Sequence, residues 1–370
     1  MKKTIIMIIT LSLFFLTASA GWSARKSGVE VKKSTGSKHM KIKLGEEEID
    51  VQKIKKKWYF GYKVDEQVKV KKGQYRTDEN KMVTKVYSWP NSDYYIRVEN
   101  QTETIMCQRC DVGSKLTCRL ELYLNEDKVF VREFKDRNVL EAVSLRNGLS
   151  LFKFEEATEQ ERYSMMSRKL YEVYNNRGEL VHELKDVTQF SVSPQADYIL
   201  ILQKKEDGKV VLKKLGLEGE IEILKKFKGL KRIRGFCEKG ECFVVMGGRN
   251  SQKLAPCGNY YGISEVYFFK NDKLKWYKEI NSSDFKAESS WGWHISKTGQ
   301  YLIWLYKIKM KCAKHEENGK IYRRWWGGIQ RFYVLDTKTR EIVYDGPRDD
   351  ALIKQYREET INKEGERGLR

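Results

Sequence analysis

Short apolar segments separated by turn residues recur along most of this chain. The clearest is Phe190–Leu202, with the sequence FSVSPQADYILIL. Its alternating start, the Pro and Asp in its middle and its apolar second half predict a short strand, a tight turn and a second strand. Because apolar runs this short favour strands over helices, the pattern predicts an all-β fold.

The same two-strand pattern occurs in four other places, a few tens of residues apart. Each copy is followed by a further hairpin, such as Lys209–Leu215 with Glu220–Leu224 after the copy at Ser193. Each repeat therefore predicts four antiparallel strands, which is the signature of a propeller blade. The residues aligned at the start of the first turn are Ser88, Ser144, Ser193, Cys237 and Ser296.

The pattern before the first copy predicts one more unit of the same kind. Met40–Leu44, Ile49–Ile54, Trp58–Val64 and Gln67–Val70 alternate like strands, with turn residues such as Asp65-Glu66 between them. Counting this unit, the sequence predicts a β-propeller of about six four-stranded antiparallel blades. A looser pair of stacked sheets is the alternative architecture.

Two motifs carry a resemblance to known repeats. Ser193–Leu200 reads Ser-Pro-x-x-x-Tyr-Ile-Leu, and Phe332–Asp336 ends a strand before a Thr-Lys-Thr-Arg turn. These segments resemble the repeats of WD-repeat and TolB-type β-propellers. The chain departs from those families because one repeat alone has Ser followed directly by Pro, and because it has no Trp-Asp dipeptide. The resemblance spans most of Tyr87–Asp345 and implies a scaffold, but it carries over no functional residue.

The first twenty residues have the features of a signal peptide. Lys2 and Lys3 precede the apolar run Ile5–Leu16, and Ala18-Ser19-Ala20 has the small residues that cleavage requires. A membrane anchor is the alternative, but the run is shorter than the ~20 residues of a spanning helix. We therefore predict an exported protein, periplasmic or secreted, with no transmembrane segment after signal cleavage. The predicted parts are a signal peptide (1–20), a flexible lead-in (21–39), a propeller-like domain (40–348) and a charged tail with a short helix (349–370).

The formal net charge of +20 favours anionic partners. For an exported protein, these are acidic polysaccharides or other anionic envelope or extracellular partners, including proteins. No recognisable nucleic-acid-binding module accompanies the basic clusters, which argues against nucleic acid. The alternative is that the lysines solvate strand faces and edges.

Seven cysteines in an exported chain predict disulfides. Cys110 and Cys118 flank a segment with a turn-like Gly-Ser, and Cys237 and Cys242 flank a four-residue turn. The remaining predicted pair, Cys257 with Cys312, would connect loops of adjacent blades. Cys107 is then left over. A zinc site at Cys107-x-x-Cys110 would need a second close pair of ligands, so we predict no metal.

Within a blade we label the strands A to D from the axis outward. All connections between strands B and C leave a propeller on one side, and several of them are long in this chain. Loops on a rigid scaffold are where binding residues concentrate, so this side is the predicted site. The alternative is that the insertions bind no ligand. The candidate contact residues are Arg323, Arg324, Trp325, Trp326, Lys309, Tyr260 and Tyr261.

Catalytic signals are weak. None of the four histidines lies in a known catalytic motif, and His294 reads best as a satisfied core residue. We predict no catalytic residue and no cofactor, and a binding or interaction protein rather than an enzyme. The alternatives are a glycan hydrolase or lyase with an axial acid such as Glu141, and a structural subunit of an envelope assembly.

Overall fold

The computed structural model describes residues 29–33, 40–44, 47–50, 63–72, 79–107, 110–156, 168–251, 260–279, 288–308, 311–317, 320–326 and 329–347. All the regular structure in these ranges is β-strand, which confirms the all-β prediction for them. Within these ranges, no helix is long and apolar enough to cross a membrane. The predicted signal peptide and the predicted C-terminal helix lie outside the described residues.

Twenty-six strands make up the described structure. In chain order they are β1 Val29–Lys33, β2 Met40–Leu44, β3 Glu47–Asp50, β4 Lys63–Lys72, β5 Glu79–Ser88, β6 Tyr94–Cys107, β7 Cys110–Leu124, β8 Asp127–Lys135, β9 Arg137–Ser144, β10 Ser150–Glu156, β11 Arg168–Tyr174, β12 Leu180–Leu184, β13 Val187–Val192, β14 Ile199–Lys204, β15 Val210–Leu215, β16 Ile221–Phe227, β17 Lys231–Phe236, β18 Cys242–Ser251, β19 Tyr260–Lys270, β20 Lys273–Glu279, β21 Glu288–Ile295, β22 Tyr301–Ile308, β23 Lys311–Glu317, β24 Lys320–Trp326, β25 Ile329–Asp336 and β26 Ile342–Pro347.

The chain folds into two compact units, and the first to be described is Tyr59–Ile233. It holds a five-stranded sheet in the order β4-β5-β6-β7-β8 and two four-stranded sheets, β9 to β12 and β13 to β16. Each is an antiparallel meander in which sequence neighbours are spatial neighbours. One buried apolar cluster runs through all three sheets, from Ile96 through Phe152 to Ile201.

The other unit comprises Met1–Trp58 and Arg234–Arg370. The sheet β17 to β20 begins at the boundary between the units and continues into this one. A second four-stranded sheet has the order β21-β22-β25-β26, and the hairpin β23–β24 forms a separate two-stranded sheet. The N-terminal strands form a three-stranded sheet, β1-β2-β3. The predicted four-stranded repeat is therefore present in both units.

The predicted meander over Met40–Val70 is wrong. β2 pairs with β1 and β3, whereas β4 pairs with β5 and adds a fifth strand to another sheet. The expected turn at Asp65-Glu66 lies inside β4, because Glu66 faces Lys85 of β5 across an unbroken ten-residue register. The strand β1 also differs from the flexible lead-in that we predicted over 21–39.

The repeated turn has one geometry in three sheets. In Phe190–Leu202, the Ser193 amide donates to the Tyr198 carbonyl at 3.0 Å, and the Ala196 amide donates to the Ser193 carbonyl at 2.9 Å. The third residue after the aligned Ser or Cys has a positive φ in each case, and a left-handed residue at this place reverses the chain. The equivalent amide-to-carbonyl bonds are Cys237 to Cys242, Gly240 to Cys237, Ser296 to Tyr301 and Gly299 to Ser296.

Candidate interaction surface

The connections between second and third strands differ greatly in length. The sheet of Phe190–Leu202 has a plain one, where β14 and β15 are short strands joined by a turn closed from the Lys205 amide to the Lys209 carbonyl at 2.8 Å. Gly208 supplies the positive φ of that turn, +75°. Compared with this plain turn, the other four connections between second and third strands contain longer strands, longer loops or an inserted hairpin.

Three of these connections are extended by additional paired backbone, and one of them is the β18–β19 ladder, which runs from Cys242 opposite Lys270 to Ser251 opposite Tyr260. The β6–β7 ladder runs from Tyr94 opposite Leu124 to Cys107 opposite Cys110. In the last sheet the hairpin β23–β24 is inserted between β22 and β25. Paired backbone satisfies its own hydrogen bonds, so an extension of this kind can project from a sheet as an ordered element.

The basic and aromatic run on β24 is divided between two faces of its hairpin. The register places Trp326 opposite Lys311, at the base of the hairpin, and Arg324 opposite Ala313. Because strand positions alternate between faces, Arg324 and Trp326 share one face, and Arg323 and Trp325 share the other. Each face thus has one arginine and one tryptophan position.

The other predicted contact residues lie on a different connection or outside the described structure. Tyr260 and Tyr261 begin β19 and lie opposite Ser251 and Asn250 of β18 in the backbone register. Lys309 lies outside the described residues. The predicted surface therefore draws on the second-to-third-strand connections of two sheets, those of β18–β19 and of β22–β25.

Of the predicted cysteine pairs, one forms a disulfide and another does not. Cys237 and Cys242 form a disulfide across the turn between β17 and β18. The predicted pair of Cys110 with Cys118 is wrong, because both residues lie on the single strand β7. The segment between them is strand and not turn, since Ser114 pairs with Thr104 of β6.

The positions of Cys110 and Cys118 differ from those that the sequence predicted. The register places Cys110 opposite Cys107, the residue that the sequence had left unassigned. Cys118 is a free, buried cysteine, and burial raises the pKa of its thiol to about 12. Cys312 lies on β23, and its predicted partner Cys257 lies outside the described residues.

A charged cluster on the five-stranded sheet was missed by the sequence analysis. The Glu121 carboxylate is 5% exposed and accepts hydrogen bonds from Lys128 Nζ at 2.7 Å and Arg119 Nε at 3.0 Å. It also accepts one from the Tyr123 hydroxyl at 2.8 Å, and Arg97 lies 3.9 Å away. Burial opposes ionisation, but the hydrogen bonds from Lys128, Tyr123 and Arg119 lower the pKa of Glu121 below its ordinary value.

This cluster shows that one face of the sheet is polar. Along β6 and β7 buried residues such as Ile96 and Leu120 alternate with the charged positions, whereas Ile199–Leu202 of β14 is buried on both faces. The alternation of Arg97 with Glu99 and of Arg119 with Glu121 is the signal that could have indicated it. The three cations stay 39–45% exposed around this buried carboxylate.

Glu141, the candidate axial acid, has a lysine neighbour. Lys153 lies opposite it on β10, and Lys153 Nζ is 3.9 Å from the Glu141 carboxylate. Burial first, and then the negative charge of Glu141, raise the pKa of the Tyr87 and Tyr171 hydroxyls. Both tyrosines are therefore protonated at neutral pH, and the cluster is suited to holding charge in place more than to removing a proton.

Comparisons with known proteins give likenesses of structure alone. No model of a known protein family matches the chain. No curated protein sequence matches it either.

Solved structures that resemble the chain include β-propellers. The propeller domain of the Trilobed protease from Pyrococcus furiosus is 13% identical over 68% of this chain and 67% of its own, with a TM-score of 0.35. TolB from Acinetobacter baumannii is 11% identical over 78% of this chain and 69% of its own, with a TM-score of 0.30. The WD40 propeller domain of Doa1 is 10% identical over 75% of this chain and 84% of its own, with a TM-score of 0.26. The chain spans 44% of a Pyrococcus horikoshii acylaminoacyl peptidase that it also resembles. These likenesses concern the propeller scaffold.

Proposed function

We propose that this protein is a propeller-like binding protein that recognises an anionic partner through its extended connections between second and third strands. The observation that supports this is the contrast between the closed turn at Lys205–Lys209 and the inserted hairpin β23–β24. Because the inserted hairpin does not pair with the strands of its sheet, its residues are available to bind a partner. The Arg and Trp positions on both of its faces suit a partner with anionic groups and flat apolar rings.

The proposed partner is a protein or an acidic polysaccharide of the envelope or extracellular space. Export is inferred from the predicted signal peptide, and the charge of +20 supports an anionic partner over a neutral one. The proposed fold is a propeller, and these connections would then all leave it on one side.

The test is a pull-down from an envelope fraction and from immobilised acidic polysaccharide. Reversing the charge at Arg323, Arg324 and Lys309 together should abolish capture, and capture by the parent chain should weaken steeply with added salt. The matched control reverses three exposed lysines elsewhere, Lys225, Lys226 and Lys228. Capture that survives the first triple variant, or that falls equally in both, would remove this surface from consideration.

An enzyme acting on glycans is the alternative, and the half-buried Glu141 beside Lys153 is the observation that favours it. Turnover of an acidic polysaccharide that is lost in Glu141→Gln, with stability unchanged, would support the enzyme. A stable stoichiometric protein complex with no effect of polysaccharide would point to the third reading, a structural subunit of an envelope assembly.

A further inference from the structure

Cys107 and Cys110 occupy opposite positions at the far end of the β6–β7 extension. Cys107 is the last residue of β6 and Cys110 is the first residue of β7, and the backbone register pairs them directly. Opposite residues of an antiparallel pair have Cα atoms about 4.5–5.5 Å apart, and disulfides span about 4.4–6.8 Å between Cα atoms. The backbone therefore holds these two positions at bridging distance.

The ladder is interrupted just before this pair. Ile105 lies opposite Gly113, and the register shifts before Cys107 and Cys110. Two residues of β7 then correspond to a single residue of β6, which is the count of a β-bulge, and a bulge disrupts the hydrogen bonds of the ladder locally. Beyond the bulge, the cysteine pair is the last pair in register on this ladder. A covalent bond there would hold an end that the ladder itself holds weakly.

The same chain already closes one turn with a disulfide. Cys237 and Cys242 flank the turn between β17 and β18, with their Cα atoms 5.4 Å apart, and they are bonded. The third cysteine of the β6–β7 ladder offers no alternative partner. Cys118 lies eight positions along β7 from Cys110, or about 26 Å, and it is opposite Asn100. It is also a free, buried cysteine.

We propose that Cys107 and Cys110 form a second disulfide, which closes the tip of the β6–β7 extension. The proposal rests on the export that forms part of the proposed function, because exported chains enter compartments in which thiols are oxidised to disulfides. The bond orders the end of one of the connections between second and third strands. It therefore stabilises a part of the side that is proposed to contact the partner.

The oxidant is an exchangeable disulfide, either of a thiol–disulfide oxidoreductase or of a small molecule. The thiolate of one cysteine attacks it, forms a mixed disulfide and releases one thiolate of the oxidant. The thiolate of the other cysteine attacks the mixed disulfide, forms the bond between Cys107 and Cys110 and releases the second thiolate. The two cysteine thiols thus lose two electrons and two protons, which the oxidant takes up as two thiols.

Peptide mapping tests the connectivity. Trypsin cleaves after Arg109, between the two cysteines, and again after Lys115 and Arg119. The exported chain is denatured, its free thiols are alkylated, and it is digested without reduction. The peptides 98–109 and 110–115 should be recovered as one linked species, two hydrogens lighter than their sum, which reduction separates. The peptide 116–119, which contains Cys118, should be recovered alkylated.

Single substitutions give an independent count of thiols in the denatured, unreduced chain. Cys107→Ser releases the thiol of Cys110, so the count should rise by one relative to the parent, and Cys110→Ser should have the same effect. Cys118→Ser is the matched control, because removal of a free cysteine should lower the count by one. If the two cysteines are not bonded in the parent, all three variants lower the count.

Amide exchange tests the effect of the bond on the tip. In a double variant with Cys107→Ser and Cys110→Ser, the amides of 103–105 and 113–115 should exchange at least about tenfold faster than in the parent. The amides at the other end of the ladder, around Tyr94 and Leu124, should exchange at the parent rate.

Two results of the map would overturn the proposed bond. One is a linkage between the peptides 110–115 and 116–119, and the other is the recovery of 98–109 and 110–115 in alkylated form from the exported chain. Unchanged exchange at the tip of the double variant would overturn its role in ordering the extension. None of these measurements involves a partner, so a failed capture experiment counts against the proposed function alone and a failed map against the disulfide alone.

Discussion

The Glu47 carboxylate, at the start of β3, accepts a hydrogen bond from Nε2 of His294 on β21 at 2.9 Å. Its other oxygen accepts the backbone amide of Lys297 at 2.8 Å. One carboxylate thereby fastens the N-terminal three-stranded sheet to the sheet that contains β21 and β22. His294 is a half-buried residue that joins two sheets, which is more specific than the satisfied core histidine that the sequence suggested.

The Glu47 contact should make stability depend on pH in the acid range. Burial opposes ionisation, but the hydrogen bonds from His294 and Lys297 lower the pKa of Glu47 below its ordinary 4.5. A carboxyl whose pKa is depressed by folding stabilises the protein above its unfolded pKa, and the contribution is lost as the pH falls through the folded value. Glu47→Gln should therefore cost about 1 kcal/mol near neutral pH, and this cost should shrink as the pH falls through the lowered pKa of Glu47.

Urea unfolding at several pH values measures this difference. Glu48→Gln is the control, because Glu48 makes an exposed ion pair with Lys41 on the same small sheet. A cost that is the same at every pH, or equal for both variants, would contradict the assigned contact.

At two places a side-chain amide makes a double hydrogen bond to the backbone of one distant residue. Asn100 on β6 donates to the Val139 carbonyl at 2.7 Å and accepts the Val139 amide at 2.9 Å. Gln189 on β13 makes the same two bonds to Ile233 on β17, at 3.0 and 2.9 Å. Because Val139 is fully buried, removing the amide takes a hydrogen-bond partner from both its backbone carbonyl and its backbone N–H.

Asn100→Leu should therefore lower the free energy of unfolding by about 2–4 kcal/mol, measured by urea denaturation. Asn147→Leu is the matched control, since Asn147 is exposed, donates to the Leu217 carbonyl at 2.6 Å and accepts the Leu149 amide at 3.1 Å. The control should lose less than about 1 kcal/mol. An equal loss of unfolding free energy in both variants would show that the Asn100 contact contributes no more to stability than the Asn147 contact.

Gly299 is the left-handed residue of the repeated turn in the last sheet. A Cβ at this position would collide with Cys242 Sγ, so alanine is disfavoured both by φ, +75°, and by the neighbouring disulfide. Gly299→Ala should destabilise the protein by about 2–4 kcal/mol, measured by thermal or urea unfolding.

The control for this variant has the same backbone and open space around it. Gly208 also has φ +75°, and no atom lies within 4 Å of a Cβ placed there. Gly208→Ala should then cost about 1 kcal/mol, from the backbone strain alone. A Gly299 variant no worse than the Gly208 variant would mean that the disulfide moves aside.

Cys118 should be inert in the native protein. Its thiol is buried, and its pKa of about 12 leaves almost no thiolate at neutral pH. Peptide mapping after alkylation should find Cys118 unmodified in the folded chain and modified after denaturation. Rapid native labelling at Cys118 would contradict the burial of this strand.

The cysteine pairing shows where sequence spacing is insufficient. Cys237 and Cys242 could be paired from the sequence because a single turn brings them together. Cys110 and Cys118 are also close in sequence, but the Gly-Ser pair between them continues a strand where a turn was expected. A Gly-Ser pair is compatible with either, and the partner strand β6 decides between them.

Local chemistry was sufficient for the repeat itself. The positive φ at the third position, the closing hydrogen bonds around Ser193 and the two-residue alternation of the strands all depend on residues within one hairpin. The all-β class, the four-stranded unit and the position of the long connections could therefore be determined from the sequence alone.

The partners of the remaining elements were decided by tertiary structure. Alternation predicts strand on both sides of Asp65-Glu66, but it does not say that these residues form one strand, β4, which pairs with β5 and not with its N-terminal neighbours. Likewise, Glu47 and His294 are 247 positions apart, and no local pattern links them. The physical reason is that strand pairing and buried polar contacts depend on which surfaces meet after folding, and that information is distributed over the whole chain.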